Sequence, residues 1–213
     1  ARPLSQYIEA KTMINSSTVL SEASIAGARV QGHFYNTSRG PGSGTAYNGY
    51  EDNVTGFIQI ESVVNFESMW VRAFVAKSND SEFDTYDVLD ENYFMVPVSV
   101  DTYHTLSIRY INSRLVFRCD SESWEFPIEG PRYEPYNSRR GLRSRNYSGT
   151  GQSAYVKVFF DDVMVSEENL EFCLQDYDFD NDMDGSDIHD FLTDPKGVTV
   201  GQFAAHFGRT DCP

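Results

Sequence analysis

The sequence feature that most constrains the fold is a two-residue periodicity of apolar side chains, repeated in short runs from the N-terminus to about residue 166. In TGFIQIES (55–62), Gly56, Ile58 and Ile60 fall on one face of an extended chain. Three further runs alternate in the same way: Phe94, Val96, Val98 and Val100; Leu106, Ile108 and Tyr110; and Val156, Val158 and Phe160. Because successive side chains of a strand point to opposite faces, these runs predict strands with one buried face.

Clusters rich in Gly, Asn and Ser separate these runs, at residues 36–53, 76–84 and 146–153. Short alternating strands joined by such turns are typical of antiparallel sheets, whereas parallel sheets need long, usually helical, crossovers. With 213 residues, of which 40% are hydrophobic, the chain can form one large core and a small appendage. We therefore predict a mainly β protein with an antiparallel β-sandwich over residues 1–166.

The charge balance argues against two classes of partner. Lysine and arginine number 17 against 32 acidic residues, which gives a formal net charge of −15. Nucleic acids and anionic membrane surfaces attract basic proteins, so we expect neither as a partner. The longest apolar candidate, residues 93–100, is interrupted by Pro97 and is far shorter than the roughly 20 residues that span a bilayer, so we expect no membrane insertion. The chain begins at Ala1 rather than methionine, which we interpret as the processed terminus of a secreted, extracellular or cell-surface protein.

A second feature is the acidic segment DYDFDNDMDGSD, residues 176–187, which contains six aspartates. Carboxylates this close repel one another unless a cation lies among them. Calcium binds six to eight oxygens, and a twelve-residue loop supplies them from positions 1, 3, 5, 7, 9 and 12. With the first position at residue 176, the spacing predicts a Ca²⁺ site formed by Asp176, Asp178, Asp180, Asp182, Asp184 and Asp187.

A second assignment of the twelve loop positions remains open, with position 1 at Asp180. This assignment places Gly185 at the tight-turn position, but it puts Phe191 at the closing position, and a phenylalanine side chain cannot coordinate a metal. The assignment that starts at Asp176 places Asn181 in the tight turn, and asparagine tolerates a left-handed backbone better than most residues. Apolar residues interleaved among the acids favour a folded metal loop over a solvated acidic tail.

The acidic loop belongs to a predicted appendage, residues 167–213. Ile188, Phe191 and Leu192 have the i, i+3, i+4 spacing of one helix face, and Phe203 and Phe207 lie four residues apart. We predict a small C-terminal hairpin of two short helices. A piece of this size buries little apolar surface by itself, so it needs the metal or a covalent crosslink to be stable.

The three cysteines divide into a pair and a single residue. Cys173 and Cys212 bracket the appendage. A disulfide between them would close a loop of about 40 residues and stabilise it by roughly 3–4 kcal/mol. Cys119 alternates with Leu115 and Phe117 on one strand face, so we expect a buried free thiol there.

The C-terminal segment DYDFDNDMDGSDIHDFL (176–192) resembles one calcium-binding repeat of dockerin-type modules, which pair two loop–helix units and dock onto a cohesin partner. The following segment, TDPKGVTVGQFAAHF (193–207), keeps the apolar pattern of a second unit but retains only Asp194 of its acids. The resemblance therefore implies calcium binding and does not define the partner.

The first 165 residues resemble concanavalin A-like and laminin G-like jelly rolls more loosely, through YHTLSIRYINSRLVFRCDSESWEF (103–126) and VKVFFDDVMV (156–165). That fold includes lectins, glucanases and structural modules, so the resemblance alone selects no function. Glucanases of this type carry a Glu-x-Asp-x-x-Glu run, which does not occur here; Glu122 and Glu125 are three residues apart and so lie on opposite faces of a strand. We predict that the protein is not an enzyme.

Two loops and a basic segment provide candidate ligand-binding residues. Aromatic rings with polar neighbours hold sugars, and the Gly-rich loop offers Tyr47, Tyr50, Asp52 and Asn53, with Tyr133 and Tyr136 as a second candidate pair. The basic segment RYEPYNSRRGLRSR (132–145) adds Arg139, Arg140, Arg143 and Arg145. These arginines could bind sulfated or uronic glycans, or the acidic surface of another copy of the chain.

Together these features predict a secreted, non-enzymatic, calcium-binding module for extracellular adhesion or glycan recognition, with an extracellular glycan, a protein or other copies of itself as partner. The alternatives are a self-assembling filament or surface-layer subunit, and an accessory domain of a glycan-degrading system. In the assembly alternative, residues 1–20 could pair with a partner's sheet edge. Five Asn-x-Ser/Thr sequons permit N-glycosylation, at Asn15, Asn36, Asn53, Asn79 and Asn146.

Overall fold

The structure is a computed structural model of the chain. It describes residues 6–20, 25–38, 49–63, 68–111, 113–136, 138–147 and 154–166, together with 188, 189, 191, 192, 199–201, 204 and 207. The chain divides into two compact units, Ala1–Glu167 and Glu168–Pro213.

The described part of the first unit contains ten strands, and its sheets are antiparallel. The strands are β1 (Tyr7–Ile14), β2 (Ile25–Asn36), β3 (Asn53–Val63), β4 (Ser68–Ser78), β5 (Tyr86–Phe94), β6 (His104–Ile111), β7 (Arg114–Cys119), β8 (Glu122–Pro127), β9 (Arg140–Tyr147) and β10 (Val158–Ser166). They form two five-stranded sheets, in the order β10-β1-β6-β7-β8 and β5-β4-β3-β2-β9.

The two sheets face each other across one apolar core. Ile8, Leu106 and Phe117 from the first sheet pack in the same buried cluster as Val30 and Ile58 from the second. Most of the side chains expected to point inward from periodicity are buried or pack against this core, including the alternating trio on β7 that ends at Cys119, whereas Val100 and Val156 are half-buried and lie outside the cluster. The prediction of a mainly β, sandwich-like protein is therefore confirmed.

Two local expectations differ from the structure. The alternating run that begins at Phe94 continues as a strand only to the end of β5, and residues 95–99 are irregular, although Val96 and Val98 still pack against the core. Pro97 explains the difference, because proline has no N–H to donate to a ladder. The N-terminal segment is also not a free edge: β1 lies between β10 and β6 and pairs with both, so the expected pairing with a partner's sheet is wrong for this strand.

In the second unit, a few described residues have helical backbone, among them Ile188, Phe191 and Leu192. No complete helix is delimited among the described residues, so the helical hairpin remains a prediction. Within the same described set, no helix has both the length and the apolar character needed to cross a bilayer.

Candidate functional site

The outward face of the second sheet carries a row of polar side chains in register across four strands. Arg143 on β9 pairs with Arg29 on β2, Arg29 with Gln59 on β3, and Gln59 with Arg72 on β4. An outward face is normally solvated, yet Arg29 is only 3% exposed and Gln59 only 2%. Charged and amide side chains are seldom this deeply buried without a structural or functional reason.

A loop between β4 and β5 helps to cover this face, and Asp80 organises it. One Asp80 carboxylate oxygen accepts the backbone N–H groups of Glu82 and Asp84, both at 3.0 Å. The other accepts the N–H of Thr85 at 2.7 Å and the Thr85 hydroxyl. The Thr85 hydroxyl hydrogen bond is the largest cause that lowers the pKa of Asp80 to about 2. The loop therefore holds Phe83 in a left-handed conformation, φ 65°, which is unusual for a bulky residue and marks a constrained position.

The turn before β3 packs directly on this loop. Gly49 has φ 57°, and a Cβ at this position would lie 2.2 Å from the carbonyl oxygen of Ser81. The backbone N–H of Tyr50 donates to that same oxygen at 3.0 Å. Only glycine fits this approach, so the two loops are fixed against each other.

Aromatic rings from these two loops, from the segment before β9 and from β2 and β3 form one cluster. The ring centroid of Tyr50 lies 5.0 Å from that of His33, 5.4 Å from Tyr136 and 6.2 Å from Phe83. Phe83 in turn contacts Phe57 on β3, at 6.2 Å between centroids. The cluster brings together tyrosines from both loops that the sequence offered as sugar-binding candidates.

Between the loop cluster and the strands lies an open cavity of about 350 Å³. From the strands it is lined by Arg29, Gln31, His33, Thr55, Phe57, Arg143 and Arg145. From the loop side it is lined by Tyr50, Glu82, Phe83, Asp84 and Tyr86, the last at the start of β5. We call this cavity the β2–β9 groove. Its volume lies at the lower end of the range of about 300–1,000 Å³ seen for small-molecule sites.

Arg29 is the most unusual residue of the groove. Its Nε donates to Gln59 Oε1 at 2.5 Å, and its guanidinium lies over the Phe57 ring, 4.7 Å from the centroid. The Gln59 side-chain amide in turn donates a hydrogen bond to Glu61, which also accepts the Trp70 indole N–H at 2.8 Å. Within the described part of the chain, Arg29 Nη2 and Gln31 Oε1 are buried without a hydrogen-bond partner. Burial lowers the pKa of Arg29 to about 9, so the side chain still carries its charge at neutral pH.

His33 is held neutral in the same groove. Its Nδ1 lies 2.6 Å from Thr55 Oγ1, and its ring contacts Phe83 at 5.3 Å between centroids. Burial, followed by the nearby charges of Arg140 and Arg139, lowers the pKa of His33 to about 4. The imidazole is therefore a neutral hydrogen-bonding group at physiological pH.

Only part of the predicted loop site belongs to the groove. Tyr50 lines it, whereas Tyr47 lies outside the described residues. Asn53 is fully buried: its side-chain amide donates to the Tyr136 carbonyl at 2.7 Å, and its side-chain oxygen accepts the Tyr136 N–H at 3.1 Å. Asp52 accepts the Ser38 hydroxyl at 2.5 Å. Asn53 and Asp52 thus fasten the loops rather than face a ligand, and the burial of Asn53 leaves no room for a glycan on that sequon.

The predicted arginines divide between the two faces of β9. Arg143 and Arg145 pair with outward-facing residues of β2 and line the groove. Arg140 points the other way: its guanidinium lies 3.9 Å from the Phe34 ring centroid, and its Nη1 donates to the His33 carbonyl at 2.5 Å. Arg139 is exposed in the segment before β9 and is not among the groove residues.

Sequence reasoning missed the strand residues that form the floor of the groove. A signal was present in AGARVQGHF (26–34), where Arg29, Gln31 and His33 alternate with small or apolar residues. β3 shows the same alternation: Phe57 and Gln59 lie on its outward face, whereas Ile58 and Ile60 point into the core. An outward polar row is the ordinary pattern of a solvated face, so its functional use depends on the loops that cover it.

Another cluster of titratable side chains, at the turn after β7, has a structural role. His104 Nδ1 lies 2.7 Å from Asp120 Oδ2, Asp120 also accepts the Thr105 N–H at 2.8 Å, and these contacts fasten the turn after β7 to β6. Cys119, beside them, is a buried free cysteine, and burial raises its pKa to about 12. The predicted calcium ligands (Asp176, Asp178, Asp180, Asp182, Asp184 and Asp187) and the Cys173–Cys212 disulfide lie outside the described residues.

No protein-family model and no curated protein matches the chain. Among solved structures, it is similar to the κ-carrageenase from Pseudoalteromonas carrageenovora in complex with a κ-carrageenan oligotetrasaccharide, with a TM-score of 0.37 and 9% identity over 75% of this chain and 52% of that chain. The match thus spans about half of the carrageenase. It is similar to a carbohydrate-binding module from Bacillus subtilis, with a TM-score of 0.34 and 12% identity over 76% of this chain and 75% of that one. It is also similar to a double mutant of congerin II, with a TM-score of 0.36 and 8% identity over 78% and 93% of the two chains. These values assign the chain to none of these families.

Proposed function

We propose that the protein is a non-enzymatic, extracellular carbohydrate-binding module that holds a short glycan segment in the β2–β9 groove. The observation that supports this most directly is the combination of fixed aromatic rings with buried, unpartnered polar atoms in one cavity. Tyr50 and Phe83 line one side, while Arg29 and Gln31 belong to the strands opposite.

The chemistry of the groove fits a sugar on both of its sides. The C–H face of a sugar ring is apolar and can lie on an aromatic ring such as Tyr50, while its hydroxyls donate and accept hydrogen bonds. Arg29 Nη2 is a donor and Gln31 Oε1 an acceptor, and each lacks a partner among the described residues. Because both atoms are enclosed in the free protein, the proposal includes a small side-chain rotation on binding. A buried polar group without a partner costs about 1–3 kcal/mol, which a ligand hydroxyl would recover in part.

The groove is large enough for a short ligand only. About 350 Å³ accommodates roughly one or two sugar rings and leaves the rest of a longer chain in solvent. The Asp80 network and the Gly49–Ser81 approach fix the loops before a ligand arrives. A preformed site loses less conformational entropy on binding than a mobile one.

A non-enzymatic role is supported by the contacts of the candidate carboxylates on β8. Glu125 forms an ion pair with Arg114 at 2.6 Å, and Glu122 accepts the Met95 N–H at 3.0 Å. Both acids therefore have structural partners instead of facing each other across a cleft, as the acid pair of a glycosidase does.

The C-terminal appendage completes the proposal. We propose that its six aspartates bind Ca²⁺ and that the ion orders the segment, as expected from the loop spacing. Secretion, a filament or surface-layer role, and membership of a glycan-degrading system remain predictions from the sequence.

A glycan array followed by titration calorimetry tests the main proposal. We expect Tyr50→Ala and Phe83→Ala to weaken binding of the selected glycan at least about tenfold, because each removes a ring that the sugar contacts. Tyr103→Ala is the matched control, since Tyr103 is an exposed tyrosine that does not line the groove. Absence of binding to any glycan, or equal losses in Tyr50→Ala and Tyr103→Ala, would contradict the proposal.

A further inference from the structure

We propose that the β2–β9 groove selects a sugar unit that carries one anionic group, a sulfate ester or a uronate carboxylate, and that Arg29, Arg143 and Arg145 bind this group. The inference rests on the proposed function and narrows its ligand class.

Arg29 carries a buried charge for which an anionic ligand would be the counterion. The guanidinium is almost fully buried, its Nε bonds a neutral amide, and it forms no ion pair within the described part of the chain. Glu61 bonds Gln59 and its charge partly offsets the lowered pKa of Arg29, but it forms no ion pair with the guanidinium among the described residues. Burying a charge without a paired partner is unfavourable even after relaxation, and an anion bound beside Arg29 would relieve that cost.

Like charges cluster along β2 and β9 in the groove. Arg143 is the direct cross-strand neighbour of Arg29, and it is one of the charges that lower the pKa of Arg29. Arg145, two residues further along β9, lines the same cavity. Like charges on paired strands destabilise a sheet, and this chain has almost twice as many acids as bases. Three arginines in one groove are therefore better explained by an anionic ligand than by folding stability.

Acidic residues in the groove favour a ligand of low charge density. Glu82 and Asp84 line the loop side of the same cavity, opposite the arginines. They would repel a polyphosphate or nucleic acid, but they can accept hydrogen bonds from sugar hydroxyls. A sugar unit with a single charge places its anionic group on the arginine side and its hydroxyls on the acidic side. Sulfate and carboxylate both accept charge-assisted hydrogen bonds from a guanidinium, so the chemistry is shared.

Calorimetric titration with three matched probes tests this inference: galactotetraose, sulfated galactotetraose and tetragalacturonate. We expect at least one anionic probe to bind about tenfold or more tightly than the neutral one, and its affinity to fall as NaCl rises from about 0.05 to 0.5 M. Comparison of the sulfated and uronic probes identifies which anion is preferred. Arg143→Gln should remove most of the preference, and because Arg143 is exposed, this variant is expected to fold.

Lys157→Gln is the matched control, since it makes the same change in net charge away from the groove. The anionic selectivity would be overturned if neutral and anionic probes bound with equal affinity. It would also be overturned if Arg143→Gln and Lys157→Gln changed the preference for the anionic probe equally; either result would leave glycan binding itself intact. Failure of all three probes and of the glycan array would instead overturn the proposed function itself, and the inference with it.

Discussion

Replacement of His33 offers a quantitative test of the environment inside the groove. The pKa of His33 is about 4 in the folded chain against its ordinary value of 6.5. At pH values about one unit or more above 6.5, the imidazole is neutral in both states and has no effect on the pH dependence of stability. As the pH falls from 6.5 to 4, the unfolded chain binds a proton that the folded chain does not, so the free energy of unfolding decreases. At 1.36 kcal/mol per pKa unit, the full loss is about 3 kcal/mol.

Urea denaturation of the wild type and of His33→Asn, at several pH values between 7.5 and 4, measures this loss. Asparagine retains a group that can hydrogen-bond Thr55 but does not titrate. The carboxylates titrate in both proteins, so the difference between their free energies of unfolding isolates His33. We expect this difference to change by about 3 kcal/mol across the range, in favour of the variant at low pH. Parallel pH profiles would refute the reasoning that the groove excludes the charged imidazole.

Three further predictions concern other parts of the chain. Gly49→Ala should lower the melting temperature more than Gly130→Ala. Both positions have positive φ, which costs roughly 1–2 kcal/mol for alanine, but only at position 49 would the new Cβ also clash with neighbouring atoms. Excess EDTA should lower the melting temperature of the full chain, and Asp176→Ala or Asp187→Ala should reproduce that melt without chelator; an unchanged melt after proven metal removal would contradict the calcium proposal. Cys119 should react with a thiol reagent only after unfolding, because it is buried and its pKa is raised to about 12; rapid labelling of that thiol in the native protein would count against this.

The apolar periodicity predicted the core well, because alternation is a local property of the chain. Leu115 and Phe117 face inward with Cys119, as their spacing indicates. Strand order is not local, which is why the sequence left the N-terminal segment free to pair with a partner's sheet, although β1 lies inside its own sheet.

The candidate site was only partly predictable for the same reason. Tyr50 and Tyr136 are 86 positions apart in sequence, and only the fold places their rings 5.4 Å apart. Alternation along β9 does separate Arg140 from Arg143, so that division could have been anticipated once the strand was recognised. The burial of Arg29 depends on loops from other parts of the chain, which no pattern within β2 reveals.

Chemical-shift mapping with the preferred tetrasaccharide tests the central claim most directly. We expect backbone amide signals of β2, β3 and β9, together with those of residues 49–52 and 82–86, to shift on titration with the ligand. The Arg29 side-chain Nε–H signal should shift with them, because that guanidinium binds the anionic group. Saturable binding with shifts confined to the β10-β1-β6-β7-β8 sheet, or no saturable binding to any glycan, would show that the β2–β9 groove is not a glycan site.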